Sequence, residues 1–161
     1  MPNPSYETVQ APFTAFNFRV ELSVENSQVH LCEASFAECD GLEMTLDVKT
    51  IREGGNNGQQ IRLFGPVSYG QLTLKRGMTP NYDLWLWFEA VVAAPKTKRA
   101  QGEVTLLAAD GSTPRARFFL DRCLPVKLKA PALNAKDGVV AIEELQLAYQ
   151  SLTLVPLRGG P

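Results

Sequence analysis

Apolar and polar residues alternate with a period of two along most of this chain, and only once does the apolar spacing switch to that of a helix. That pattern restricts the fold to one built mainly from β-strands. The longest unbroken case runs from Phe16 to Glu25, with Phe16, Phe18, Val20, Leu22 and Val24 on one face and Asn17, Arg19, Glu21, Ser23 and Glu25 on the other. One face belongs to a core and the other to solvent. After a polar turn at Asn26, Ser27 and Gln28, residues Val29 to Glu38 are expected to return as the hairpin partner, ending at Asp40-Gly41.

Glu43 to Lys49 alternates again, placing Met44, Leu46 and Val48 against Glu43, Thr45, Asp47 and Lys49. Ile51 falls in the opposite phase, which predicts a bulge near Thr50. The run Arg52-Glu53-Gly54-Gly55-Asn56-Asn57-Gly58 is rich in residues that tolerate positive φ, and Ile61 and Leu63 follow in strand phase. This reads as a hairpin with a long polar tip. The glycines lack the spacing of a phosphate-binding loop and no helix follows them.

Gln71 to Lys75 is a short strand, Lys75-Arg76-Gly77 reads as a basic turn, and one helix comes next. Thr79 is expected as N-cap, Pro80 at the first helical position, and Asp83 near the first turn complements the macrodipole. Leu84, Trp87, Phe88 and Val91, joined by Trp85 and Val92, form a wide stripe suited to lying on a sheet, and Pro95 ends the helix. Lys96, Lys98 and Arg99 make a solvated connection. Glu103 to Ala108 and Arg115 to Leu120 are expected to pair through the Asp110-Gly111 turn. Cys123 to Ala130 adds a strand with Val126 and Leu128 inward. The last strand carries Leu145, Leu147 and Tyr149, then changes phase to Leu152 and Leu154 past Gln150, which implies a bulge or bend. Residues Met1 to Pro12 form an irregular arm and Pro156 to Pro161 a loose tail.

The expected architecture is therefore mainly β: an antiparallel sandwich or barrel of about eight strands with one flanking α-helix. A chain of 161 residues, 45% hydrophobic and 20% charged, fits one domain with its own core. A formal charge of -1 with interspersed signs gives no nucleic-acid footprint. The N-terminal stretch lacks the pattern of a signal peptide and no apolar run approaches a membrane span, so synthesis in a bacterial cytoplasm without a membrane anchor is the expectation.

Catalytic groupings are missing. The single histidine, His30, has no partner motif, and the three cysteines, Cys32, Cys39 and Cys123, have neither disulfide-framework nor zinc-ligand spacing. Glu143 and Glu144 are neighbours in a strand and point to opposite faces. No cofactor, metal or catalytic residue is expected, and the chain reads as a non-enzyme.

Five ordered blocks carry a resemblance. Phe16-Asn17-Phe18-Arg19-Val20 is similar to the first strand of the tail-tube proteins of contractile phages and the inner-tube proteins of contractile injection systems. Phe36-Ala37-Glu38-Cys39-Asp40-Gly41-Leu42, Ile51-Arg52-Glu53-Gly54-Gly55-Asn56, Leu72-Thr73-Leu74-Lys75-Arg76-Gly77 and Ala141-Ile142-Glu143-Glu144-Leu145 resemble later segments of that family, in the same order. The likeness spans Phe13 to Leu154. It implies a structural subunit that closes into hexameric rings, which stack as a hollow conduit for cargo inside a sheath. Implied partners are further copies of itself, sheath, baseplate, and tape-measure or terminator proteins. Glu53, Gly54, Gly55, Asn56, Asn57, Lys75, Arg76 and Gly77 are the expected contacts between subunits or rings; Leu84, Trp85, Trp87, Phe88 and Val91 are expected to fasten the helix to the sheet. A tube initiator or baseplate subunit of the same fold is the nearest alternative, and a carbohydrate-binding β-sandwich a distant one.

Overall fold

In the computed structural model, which describes residues 11–27, 29–55, 58–96 and 98–157, the alternating segments form ten strands and the helical segment one helix. In chain order they are β1 (Phe18–Val24), β2 (His30–Ala34), β3 (Glu38–Asp40), β4 (Met44–Ile51), β5 (Ile61–Tyr69), β6 (Gln71–Gly77), α1 (Asp83–Ala93), β7 (Ala100–Leu107), β8 (Pro114–Lys129), β9 (Ile142–Ala148) and β10 (Ser151–Pro156). Eight strands join in one antiparallel sheet of order β2-β1-β7-β8-β9-β6-β3, with β10 also paired to β8; β4 and β5 form a separate two-stranded ribbon. The ends of that path, β2 and β3, are joined by residues 35–37 alone, a link that reaches only about 15 Å. The sheet therefore curls back on itself around one core. Val20, Leu22, Leu72, Leu74, Leu120, Leu145 and Leu147 fill it.

Two expected strands, Arg115 to Leu120 and Cys123 to Ala130, are one continuous strand, β8, that turns the corner of the sheet. Its first half pairs with β7 and β10 and its second half with β9. Arg122 stands at the turn with φ 52, and the strands opposite break in step: Gln150 N–H donates to Asp121 O at 3.0 Å between β9 and β10. The phase change past Gln150 is this bend. A register shift between Pro125 and Lys127 leaves Val126 exposed, against the expectation that it faced inward. The expected hairpin partner of β1 is likewise split: β2 pairs with β1, whereas β3 crosses to β6. Phe36, between them, is buried.

The helix lies against β2 and β8. Leu84 and Trp87 are buried, Val91 packs on the core, and Trp85 and Phe88 are half-buried, while Val92 points to solvent and does not belong to the stripe. The start differs from the Thr79–Pro80 expectation: α1 begins at Asp83, after Tyr82, with no side-chain cap. Local side-chain bonds compete with helix there. Thr79 Oγ1 accepts from Asn81 N–H at 3.4 Å, and Asn81 Oδ1 accepts from Asp83 N–H at 3.0 Å, which holds residues 79–82 in a bend.

Candidate assembly surface

The β4–β5 ribbon stands largely outside the core, against which it packs through Tyr69 at its root. All eight residues of β4 are exposed, as is most of β5. At ~3.3 Å per residue β4 is about 26 Å long, against a radius of gyration of about 15 Å for a chain of this size. The register pairs Met44 with Tyr69, Leu46 with Val67 and Val48 with Phe64. One extra β5 residue at Gly65-Pro66 makes the bulge between Leu46 and Val48, nearer the body than the expected Thr50. Directly paired residues share a face, so Met44, Leu46, Val48, Phe64 and Val67 form one apolar stripe that continues outward from Tyr69. Phe64 is 87% exposed. An isolated two-stranded ribbon is marginal in water, and an exposed apolar stripe of this extent marks a contact surface.

The expected contact residues divide between the two ends of this arm. Glu53, Gly54 and Gly55 lie exposed at the tip, while Asn56 and Asn57 fall outside the described residues. Lys75, Arg76 and Gly77 are not a turn and are not near the tip: they are the last residues of β6, inside the main sheet. Lys75 pairs with Glu38 at 3.2 Å on the outer face. Arg76 faces the core, one step beyond Leu72 and Leu74, and its register partner is Glu143. The Arg76 Nε to Glu143 Oε1 distance is 2.5 Å, with side-chain exposures of only 5% and 2%. Glu143 Oε2 accepts from Trp85 Nε1–H at 3.0 Å, and the guanidinium carbon sits 5.6 Å from the centroid of Phe36. This cluster fastens α1 to β6 and β9. It is a buried fold element, so Arg76 is not a surface contact.

Trp87 Nε1–H donates to Lys98 O at 2.7 Å, which leaves neither tryptophan as an open platform for a sugar. Burial pushes the Cys32 thiol up to about 11 and those of Cys39 and Cys123 to about 12. Such thiols are poor nucleophiles at neutral pH. Among the described residues no His, Cys, Asp and Glu side chains gather as a metal site, and no helix is long and apolar enough to cross a membrane.

A sequence profile for the T4-like virus tail tube protein gp19 matches residues 14–153. The chain belongs to that family. Among solved structures, a chain in the cryo-EM structure of the anti-feeding prophage (AFP) baseplate is 30% identical, covering 92% of this chain and 99% of that one, with a TM-score of 0.80. A chain in the sheath-tube complex of an extracellular contractile injection system (PVC) is 20% identical, covering 95% of this chain and 100% of that one, at a TM-score of 0.77. Hcp1 from Salmonella typhimurium shares the fold at 12% identity, covering 89% of this chain and 90% of that one, at a TM-score of 0.54. A search of curated proteins found no match. The gp19 family is the one that the five sequence blocks resemble. The matched family is one of tail tube proteins and the 30%-identical chain is part of a baseplate, both structural roles, so the chain is a structural protein and not an enzyme.

Proposed function

We propose that this gp19-family chain is a subunit of the inner tube of a contractile tail or injection system, which closes into hexameric rings that stack as a hollow conduit for cargo. The observation that carries the reading is the β4–β5 ribbon, an arm about 26 Å long whose apolar stripe has no partner among the described residues of the monomer. A head-to-tail contact needs a second, different surface on the next copy. Leu133, Val139 and Val140, all exposed on the connection between β8 and β9, are an apolar candidate for it. Tip residues Glu53, Gly54 and Gly55 then meet a neighbouring subunit or ring. Sheath, baseplate, tape-measure and terminator proteins are the corresponding partners, and the work of the protein is assembly and passage.

A single terminal ring is the second reading, favoured by the higher identity to the AFP baseplate chain than to the PVC sheath-tube chain. The two separate by length: a tube subunit polymerises when concentrated, whereas an initiator stops at one ring. The shared premise is tested by Phe64→Asp. Phe64 touches little of its own body, so the variant should keep the wild-type unfolding curve yet stay monomeric in sedimentation velocity and negative stain. Rings or tubes from Phe64→Asp at wild-type concentrations would remove the ribbon from the interface.

A further inference from the structure

The chain from Glu38 to Gly77 is a single bent path in which the β3–β6 ladder is followed by the β4–β5 ladder. The first ladder ends at Asp40 opposite Thr73 and the second begins at Met44 opposite Tyr69. Between them the two strands are pinched. Gly41 has φ +104, and a Cβ there would lie 1.9 Å from Gln71 O; a Cβ on Gly70 would lie 2.4 Å from Glu43 Cγ. Regular rungs are lost at this neck, where Gly70 N–H reaches Glu43 O at 3.3 Å. A ribbon joined to its body by so short a neck takes its angle from whatever braces that neck.

Tyr149 occupies that place. It follows β9 on the core face, more than a hundred residues away in sequence, and is 6% exposed. Its hydroxyl donates to Gly41 O at 2.7 Å and accepts from Glu43 N–H at 3.0 Å, with Glu43 O 3.1 Å away as a second acceptor. Its ring tilts at 54° against that of Tyr69, 5.7 Å between centroids, and Tyr69 is where the apolar stripe of the ribbon begins. One side chain anchored in the core thus supplies the missing rungs and backs the root of the arm.

We propose that Tyr149 is a positioning residue for assembly: its hydroxyl fixes the direction in which the β4–β5 ribbon leaves the body, so that the stripe is presented to the next copy without a search. The inference rests on the reading of the ribbon as the contact between subunits. The contribution to folding is that of one hydroxyl bonded to part-buried backbone groups, modest beside the whole core. The contribution to assembly is large, because a ring is closed only by arms held at one angle, and disorder in each arm is repeated at every contact.

The test uses the full chain as wild type, Tyr149→Phe and Phe64→Asp, read by thermal unfolding, hydrogen exchange of the monomer and ring or tube formation against concentration. Tyr149→Phe keeps the ring and removes the hydroxyl. Its unfolding midpoint should stay near that of wild type, the Glu43 amide should exchange on the order of tenfold faster, and the concentration needed for rings should rise on the order of tenfold. Assembly of Tyr149→Phe at the wild-type concentration, with Phe64→Asp blocked, overturns the role of Tyr149 and leaves the ribbon reading standing. Assembly of Phe64→Asp overturns both. An assembly loss in Tyr149→Phe matched by an equally large loss of monomer stability overturns positioning in favour of a purely structural role.

Discussion

Arg76→Ala is the perturbation whose size the structure fixes most closely. Arg76 and Glu143 face each other across β6 and β9, 2.5 Å apart and almost wholly removed from solvent. Removing one partner of a buried pair strands the other charge and costs about 3–5 kcal/mol. Among the described residues Glu143 would keep only the indole N–H of Trp85. The guanidinium contact with Phe36 is worth about 1 kcal/mol more. A loss of about 4–6 kcal/mol corresponds to a fall of about 2–3 M in urea midpoint, taking a slope of about 2 kcal/mol/M, and on the order of 10–20 °C in Tm. Replacing both charges, as Arg76→Met with Glu143→Leu, strands no ion and should recover at least about 2 kcal/mol of that loss. The assay is urea unfolding of the monomer for the wild type and both variants. A cost for Arg76→Ala below about 1 kcal/mol, or a double variant less stable than the single one, would refute the argument.

Trp87→Ala should cost about 3–5 kcal/mol in the same unfolding assay, since the indole is buried and its N–H is bonded to Lys98 O. Cys32, Cys39 and Cys123 should resist alkylation at pH 8 in the native protein and react once urea is added. The same thiols give stability a defined pH dependence. They ionise near 9.0 when unfolded and only at about 11–12 when folded, so above pH 9 ionisation favours the unfolded chain. Their stabilisation is fully present below pH 9 and is lost as the pH rises toward 12. Cys123→Ala should weaken the fall in urea midpoint between pH 8 and pH 10.5; an unchanged slope would contradict this assignment.

What the sequence states plainly is the strand parity. Val20, Leu22, Leu72, Leu74, Leu145 and Leu147 alternate with polar residues and all face the core. The same parity held the answer for Arg76 and Glu143. Arg76 continues the phase of Leu72 and Leu74, and Glu143 that of Leu145 and Leu147, so two inward charges of opposite sign were legible in the pattern. The basic pair Lys75-Arg76 before Gly77 resembles a turn, and charge normally reads as surface; only the register of β6 against β9 makes the two ions neighbours. The corner in β8 was hidden for another reason. Arg122 takes a positive φ without being glycine, because strands on both sides hold it there. The helix starts later than the Thr79–Pro80 pattern predicts because the Thr79 and Asn81 side chains accept from the amides two residues on, Asn81 and Asp83, and hold the preceding stretch out of helix. The ribbon's stripe was visible as alternation from Met44 to Val48, but alternation cannot say whether an apolar face meets its own body or another copy.

That last question is settled most directly by cryo-EM of the concentrated wild-type protein. Six-fold rings or hollow tubes are expected, in which the β4–β5 ribbon of each copy lies with Met44, Leu46, Val48, Phe64 and Val67 covered by a neighbour. A protein that stays monomeric at every concentration, or a tube in which this stripe faces solvent, would contradict this.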